Sequence, residues 1–190
     1  ADVLYNNLVG SADPLALIRR LSTLVQARSW PLRIMMHDFY PICPSYTLID
    51  QTGSYCGGPD RLETCERCMQ EMSPNLMPYR PPNLDMRAWR AEWQEFMQLS
   101  VEIRCFSESS RGIFARAYPL LADRCTVVPH ILQFKPSRLP LVRGGRELHI
   151  GVVGGINYPK GRGVLESLIR YIEENNLDHK LSVVGETDIP

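Results

Sequence analysis

The fold is decided by Pro31-Leu32-Arg33-Ile34-Met35-Met36-His37-Asp38, together with the cysteine-bearing segment that follows it as far as Cys68. A mainly apolar run stops at a polar pair, as in a buried parallel strand that presents a charged tip at the edge of its sheet. Open α/β sheets bind their ligands outside the carboxyl ends of the strands. His37 and Asp38 are therefore the first candidates for a functional site, and the cysteine segment is predicted to lie over them.

The composition of the 190-residue chain limits the class of protein. The length suits one large domain or two small ones, and a hydrophobic content of 44% fits a globular protein. The 21 acidic and 21 basic side chains cancel, so no net field attracts nucleic acid, and no nucleic-acid partner is expected. The sequence has neither a membrane-spanning apolar run nor a signal peptide at its start, and we interpret its compartment as the cytoplasm.

Residues 1–130 are predicted to form a first α/β domain. A short strand is expected over residues 2–9, a helix beginning at Asp13-Pro14 and a strand over residues 32–36, which together make a β–α–β unit with a parallel sheet. Asp85 is predicted to cap a second helix whose aromatic stripe packs in the core. The stripe consists of Trp89, Trp93, Phe96 and Met97.

The rest of the first domain is predicted to continue with two more strands and a helix between them. Residues 101–106 and 125–128 have strand patterns, and the serines of the segment 107–110 are expected to cap the intervening helix. Cys105 and Cys125 lie within the apolar strands, where they are expected to be core thiols.

Residues 39–84 are rich in proline and glycine and show little periodicity, so they are predicted to be an irregular loop. A loop of this length is uncommon unless it has a function or a cross-link. Four cysteines lie in it with intervals of 12, 8 and 2 residues: Cys43, Cys56, Cys65 and Cys68. Four thiolates suit a structural zinc ion with no open position for water, while free thiols and disulfides remain the alternatives.

After a boundary at residues 131–146, which we interpret as a linker, residues 147–190 are predicted to form a second β–α–β unit. Its strands are expected over residues 148–153 and 181–184. The loop between the first strand and the helix contains Gly154, Gly155, Lys160 and Gly161, a set that suits a phosphate group but matches neither the dinucleotide nor the Walker fingerprint. A plain turn with a solvated lysine remains the alternative.

These segments together resemble the group 1 family of retaining glycosyltransferases with the GT-B fold. The resemblance rests on four stretches, which follow in the order in which they occur. They are the segment from His37 to Pro44, the cysteines from Cys56 to Cys68, the region from Phe106 to His130, and the segment from Gly151 to Gly161 with Ser182-Val183-Val184-Gly185. The cysteine loop is similar to that of one branch of the family.

The resemblance implies two Rossmann-like α/β domains, both incomplete in this chain, that face a cleft. His37 and Asp38 are then the catalytic candidates, with His37 facing the transferred sugar. Lys160 would neutralise the diphosphate of the donor, beside Gly154, Gly155 and Gly161. Many members have Gly-Arg where this chain has Gly154-Gly155, so one of the two usual cations is missing.

The implied partners are a nucleotide-sugar donor and a glycan or lipid-linked acceptor, and the resemblance also allows peripheral association of the parent enzyme with a membrane. The isolated piece is expected to be inactive and to self-associate, because one β–α–β unit leaves sheet faces and edges open. The alternative is a zinc-stapled binding module without catalysis. A nicotinamide-dependent oxidoreductase is disfavoured because the glycine fingerprint is missing.

Overall fold

The structure, a computed structural model, describes residues 2–131, 137 and 148–186. The chain divides into two compact units, Ala1–Ile131 and Leu132–Pro190. The predicted linker over residues 131–146 lies outside the described residues, apart from Ile131 at its start and Ser137. Both units are built from parallel strands joined by helices, which confirms the predicted α/β class. Across the described ranges, no helix is long and apolar enough to cross a membrane.

The first unit alternates strands and helices along the chain. Its strands are β1 (Val3–Tyr5), β2 (Leu32–Met35), β3 (Ser100–Cys105) and β4 (Cys125–Val127). Its helices are α1 (Pro14–Arg28), α2 (Leu62–Glu71), α3 (Met86–Gln98) and α4 (Glu108–Ala117), followed by a 3-10 helix over Pro119–Arg124. The predicted helix starts are confirmed, because the side chains of Asp13, Asp85 and Ser107 each accept a hydrogen bond from a backbone N–H of the first turn.

The four strands lie side by side in the order β1-β2-β3-β4, and every neighbouring pair is parallel. Crossovers between parallel strands are almost always right-handed. Because the spatial order equals the chain order, each crossover moves in the same direction across the sheet and places its helices on the same face. Burial agrees with this arrangement, since alternate strand residues such as Leu32, Ile34 and Ile103 join a single core cluster with the helices.

Aromatic rings dominate that core. Trp93 is fully buried, and its ring packs against the rings of Tyr5, Trp89 and Phe96 at centroid distances of 5.4 to 6.0 Å. The whole stripe predicted on the second helix is buried, as are Cys105 and Cys125. The sulfur atoms of these two cysteines lie 3.2 Å apart across β3 and β4. The predicted core roles are therefore confirmed.

The opposite face of the sheet is charged. The guanidinium of Arg33 pairs with Asp2 at 2.7 Å and with Glu102 at 3.7 Å, and Glu102 also accepts a hydrogen bond from Arg104 at 2.6 Å. Arg33, Glu102 and Arg104 are partly exposed, and they alternate with the buried residues of β2 and β3. The sheet is thus apolar toward the helices, and its other side carries these ion pairs beside Leu4 and Met35.

Two predictions for the first unit were wrong. The strand expected over residues 2–9 ends at Tyr5, because the side chain of Asn7 accepts a hydrogen bond from the N–H of Val9 and turns the chain. The loop predicted as irregular over residues 39–84 contains the helix α2. Its buried residues Cys65, Cys68 and Met69 have helical spacing.

The second unit is a β–α–β unit formed by β5 (Leu148–Val153), α5 (Arg162–Glu174) and β6 (His179–Val184). The two strands pair in parallel along their whole length. The last strand begins two residues earlier than the predicted residue 181, since His179 and Lys180 pair with Leu148 and His149. Leu165 is the only buried side chain among residues 148–186, so these residues form a thin layer rather than a closed core.

Replacement of Trp93 by alanine tests the aromatic core. We expect the change to lower the free energy of unfolding of the first unit by about 3–5 kcal/mol, because it removes a fully buried indole and leaves a cavity. Urea unfolding followed by circular dichroism gives the measurement. Leu120→Ala is the control, since Leu120 is 75% exposed and its loss should cost less than about 0.5 kcal/mol. Equal stabilities of the two variants would contradict the assignment of the core.

Candidate functional site

The carboxyl ends of three neighbouring strands bring a stack of rings together. His37 follows β2, Phe106 follows β3 directly, and His130 follows β4. The ring of Phe106 lies 4.6 Å from that of His37 and 4.0 Å from that of His130, and the two imidazoles are 6.0 Å apart. His37 and His130 are exposed and Phe106 is half-buried. This edge therefore presents two imidazoles and an aromatic face to solvent, at the position where parallel sheets bind ligands.

Asp38 fixes the backbone beside this stack. One of its carboxylate oxygens accepts a hydrogen bond from the N–H of Tyr40 at 2.8 Å, and the other accepts from the side-chain amide of Asn7. The carboxylate thus links the end of β2 to the turn after β1. Burial raises the pKa of Asp38, while the hydrogen bond from Tyr40 and the nearby imidazole of His37 partly oppose this effect.

Two buried tyrosines lie close enough to Asp38 to feel its charge. Burial raises the pKa of Tyr40 to about 12 and that of Tyr5 still further, and in each case the Asp38 carboxylate adds to the effect. Both hydroxyl groups therefore stay protonated at neutral pH. Among the described residues, the hydroxyl oxygen of Tyr40 has no hydrogen-bond partner, an arrangement that is costly for a buried polar group.

Three consecutive carbonyl groups anchor the segment that follows Asp38. The carbonyl of Tyr40 accepts a hydrogen bond from the indole of Trp89, that of Pro41 from the hydroxyl of Tyr118, and that of Ile42 from Arg90. All three donors come from helix α3 or from the end of α4. Because these backbone acceptors are buried, the donors both satisfy them and hold the start of the cysteine segment in place.

The four cysteines named in the zinc prediction line one cavity of about 120 Å³. Cys65 and Cys68 extend from α2, Cys43 lies in the anchored segment, and Cys56 follows the antiparallel bridge between Ile49 and Tyr55. All four are free thiols, and only Cys56 is more than slightly exposed. The structure thus places these four cysteines, which are up to 25 positions apart in the sequence, around a single cavity.

Burial disfavours the thiolate form of three of the four cysteines. It raises the pKa of Cys43 to about 11, against the lowering effect of a hydrogen bond with the hydroxyl of Ser45. Burial also raises the pKa of Cys65 and of Cys68, and the neighbouring guanidinium of Arg90 opposes the shift at Cys65. A thiol with a raised pKa is a poor nucleophile, so these three residues do not suit covalent catalysis.

The thiols do not form a ready-made coordination shell. Within the described part of the chain, no three His, Cys, Asp or Glu side chains are grouped closely enough to hold a metal ion. The chemistry of the donors nevertheless fits zinc, because four cysteines line one small cavity. The zinc ion therefore stays a prediction, with Cys43, Cys56, Cys65 and Cys68 as its expected ligands.

Sequence reasoning missed Arg90, which also lines the cavity. Its side chain is only 8% exposed, its Nε donates to the carbonyl of Ile42 at 3.0 Å, and its Nη2 lies 3.9 Å from the sulfur of Cys65. The signal in the sequence was its spacing, four residues after Met86 and three before Trp93. That spacing places a cation on the buried face of α3.

In the second unit, the predicted donor-binding residues lie together between β5 and α5. Gly154 bonds back to the end of β6, and a Cβ atom on Gly185 would lie 2.3 Å from the carbonyl oxygen of Gly154, so only glycine fits at position 185. Lys160 is exposed at the end of a short 3-10 helix, and Gly161, with φ at +87°, is the N-cap residue of α5.

The site residues predicted from the sequence therefore fall into three groups. His37 and Asp38 lie at the carboxyl edge of the first sheet, and the four cysteines surround a cavity of the same unit. Gly154, Gly155, Lys160 and Gly161 lie in one loop of the second unit. Phe106 and His130 complete the ring stack but were not predicted as site residues, since no local pattern relates them to His37.

Comparison of the chain with family models, with curated proteins and with solved structures found no match. The assignment of a function therefore depends on the geometry of these groups and on the motifs of the sequence.

The raised pKa of Asp38 leads to a prediction about pH and stability. At a pH between the ordinary pKa of 3.8 and the higher folded-state pKa, Asp38 binds a proton in the folded chain but not in the unfolded chain. The free energy of unfolding of the wild type should therefore fall, relative to that of Asp38→Asn, as the pH rises through this interval. Urea unfolding of both proteins, from acidic to neutral pH, gives the measurement.

Asp50→Asn is the matched comparison for this experiment. The hydroxyl of Thr52 donates to Asp50 at 2.6 Å and is the main cause that lowers the pKa of this carboxylate. Wild-type stability should therefore rise with pH relative to Asp50→Asn, which is the opposite sign. Parallel curves for wild type and Asp38→Asn would refute the burial of an ionisable group at position 38.

Proposed function

We propose that this chain is part of a retaining glycosyltransferase that moves a sugar from a nucleotide-sugar donor to a glycan or lipid-linked acceptor. The first unit would belong to the acceptor-side domain and the second would begin the donor-side domain. The main support is the ring stack of His37, Phe106 and His130 at the carboxyl edge of a parallel sheet. That edge is the usual ligand position of the α/β class, and the stack contains the histidine of the family-like His-Asp segment.

The geometry around His37 suits the recognition of a sugar. An exposed imidazole offers a hydrogen-bond donor and an acceptor, and the faces of Phe106 and His130 offer apolar area for the carbon skeleton of the ring. Asp38 would be a positioning residue, because it accepts hydrogen bonds from the N–H of Tyr40 and from the side chain of Asn7 and so fixes the chain next to His37. His37 would then contact the transferred sugar, and Asp38 would keep it in place.

The second unit supplies groups that suit the leaving group. When the bond between sugar and diphosphate breaks, negative charge collects on the phosphate oxygens. A cation and backbone N–H groups held in place before the reaction stabilise that charge without a metal ion. Lys160 would supply the ammonium, and the turn formed by Gly154, Gly155 and Gly161 would let the phosphate approach the main chain. In this proposal the enzyme works in the cytoplasm or at the cytoplasmic surface of a membrane.

The cysteine cavity favours a second candidate function, a binding module stapled by zinc and without catalysis. Four thiols around one cavity would serve such a module as well as an enzyme. The two functions differ in the sequence of the parent gene. A donor domain with paired glutamates downstream of this chain supports the transferase, whereas an unrelated domain supports the binding module.

Substitution of His37 in the intact parent protein tests the proposal. We expect His37→Ala to lower the rate of sugar transfer by about 10²-fold, the usual effect of removing one positioned polar group at a reacting centre. Its melting temperature should change little, because the side chain is exposed. The assay measures release of the nucleotide from a panel of nucleotide-sugar donors.

His179→Ala is the control for the loss of a histidine outside the site, since His179 belongs to β6 and contacts the carbonyl of Asp178. Wild-type turnover by His37→Ala would remove His37 from the mechanism. Failure of the wild-type parent to use any donor in the panel would favour the binding module.

A further inference from the structure

The cavity between α2 and α3 brings a buried arginine together with four cysteines. Cys43, Cys56, Cys65 and Cys68 line it, as do Arg90, Arg67 and Asp50. Asp50 accepts hydrogen bonds from Thr52 and from the N–H of Ser54, and within the described residues it forms no ion pair with Arg90. The carboxylate at this cavity therefore does not pair with the buried guanidinium.

Arg90 lacks an acidic partner. Within the part of the chain that the structure describes, its side-chain bonds go to the carbonyl of Ile42 and to the sulfur of Cys65, and no carboxylate pairs with it. The side chain is 92% buried, since only 8% of it is exposed. A guanidinium withdrawn from water is strongly unfavourable unless an anion and well-placed acceptors compensate for it. The ionisable group that the guanidinium contacts is the thiol of Cys65, at 3.9 Å.

We propose that the cavity binds one zinc ion through Cys43, Cys56, Cys65 and Cys68, and that Arg90 neutralises part of the charge of this centre. Four thiolates around a divalent cation carry a net charge of −2, since four negative charges exceed two positive ones. Each thiol releases its proton to solvent as its bond to the metal forms, so charge and protons balance. The guanidinium then donates an N–H···S hydrogen bond to Cys65, which both orients the ligand and stabilises the dianion.

Zinc binding requires the sulfur atoms to turn toward the centre of the cavity. Rotation about one bond, χ1, moves the sulfur of a cysteine, and all four cysteines line the same cavity of about 120 Å³. With four sulfur ligands the ion has no open position, so its role is to join α2 to the loop segments around Cys43 and Cys56. This inference is independent of the proposed transferase activity, because it involves neither His37 nor Lys160.

Metal analysis of the 190-residue chain, purified with a reductant, tests the site. We expect about one zinc ion per chain, and a tetrahedral thiolate spectrum when cobalt(II) replaces zinc. Cys65→Ser should abolish the spectrum. Cys105→Ala is the matched control and should keep it, since that buried thiol lies outside the cavity. A metal-free folded protein without the cobalt spectrum would overturn the site, and iron in place of zinc would overturn the choice of ion.

Variants of Arg90 test its role as a counter-charge. Arg90→Met keeps most of the volume and removes the charge, and it should weaken zinc affinity by about 10- to 100-fold in competition with a chromophoric chelator. Arg90→Lys keeps the charge and should retain most of the affinity. Equal affinities for Arg90→Met and wild type would show that the guanidinium serves only to pack the helix.

A measurement on the wild type decides the matter if these variants do not fold. Alkylation of the native protein, mapped by mass spectrometry, should leave Cys43, Cys56, Cys65 and Cys68 protected. Removal of zinc by a chelator should make these residues reactive, with half-exposed Cys56 first, while Cys105 and Cys125 remain unchanged. Identical labelling before and after chelation would contradict a metal at this cavity.

Discussion

The four parallel strands have the same order in the sheet as in the chain. Because the crossovers are right-handed, this order places every connecting helix on one face of the sheet. That face holds the aromatic core of Trp93 and its neighbours, and it accounts for nearly all of the deep burial in the first unit. The opposite face carries Arg33, Glu102 and Arg104 beside the apolar side chains of Leu4 and Met35. A single constraint on chain direction thus explains why β2 and β3 alternate between core residues and a mixed, partly ionic face, a pattern that is unusual in parallel sheets.

The same constraint makes all strands end at one edge. His37, Phe106 and His130 meet there although they are as much as 93 residues apart in sequence. The segment after Asp38 then turns back over the sheet, where Trp89, Tyr118 and Arg90 hold three successive carbonyl groups. These hydrogen bonds couple the edge to the cysteine cavity, because Arg90 takes part in both. Helix α3 therefore anchors the segment that leads from the candidate ligand site to the candidate metal centre.

Local signals in the sequence were sufficient for the helix starts at Asp13, Asp85 and Ser107 and for the aromatic stripe of α3, since capping and periodicity are properties of short segments. They were insufficient for α2, whose helical spacing was masked by the prolines and glycines around it. The partners of His37 could not be predicted, because a contact between the ends of separate strands depends on register and strand order. Arg90 was missed for a related reason, since its burial depends on the loop that folds over it.

The ionic outer face of the first sheet also limits how copies of this chain can associate. Two such faces cannot stack on each other without withdrawing arginines and glutamates from water, at a cost of several kcal/mol per ion as an order of magnitude. In the described part of the second unit, Val153, Val164 and Val184 are each more than 60% exposed, and in the first unit Leu4 and Leu120 are exposed to a similar degree. Apolar surface open to association is therefore present on both units, and solubilising substitutions belong at these exposed positions rather than at the ion pairs of the first sheet.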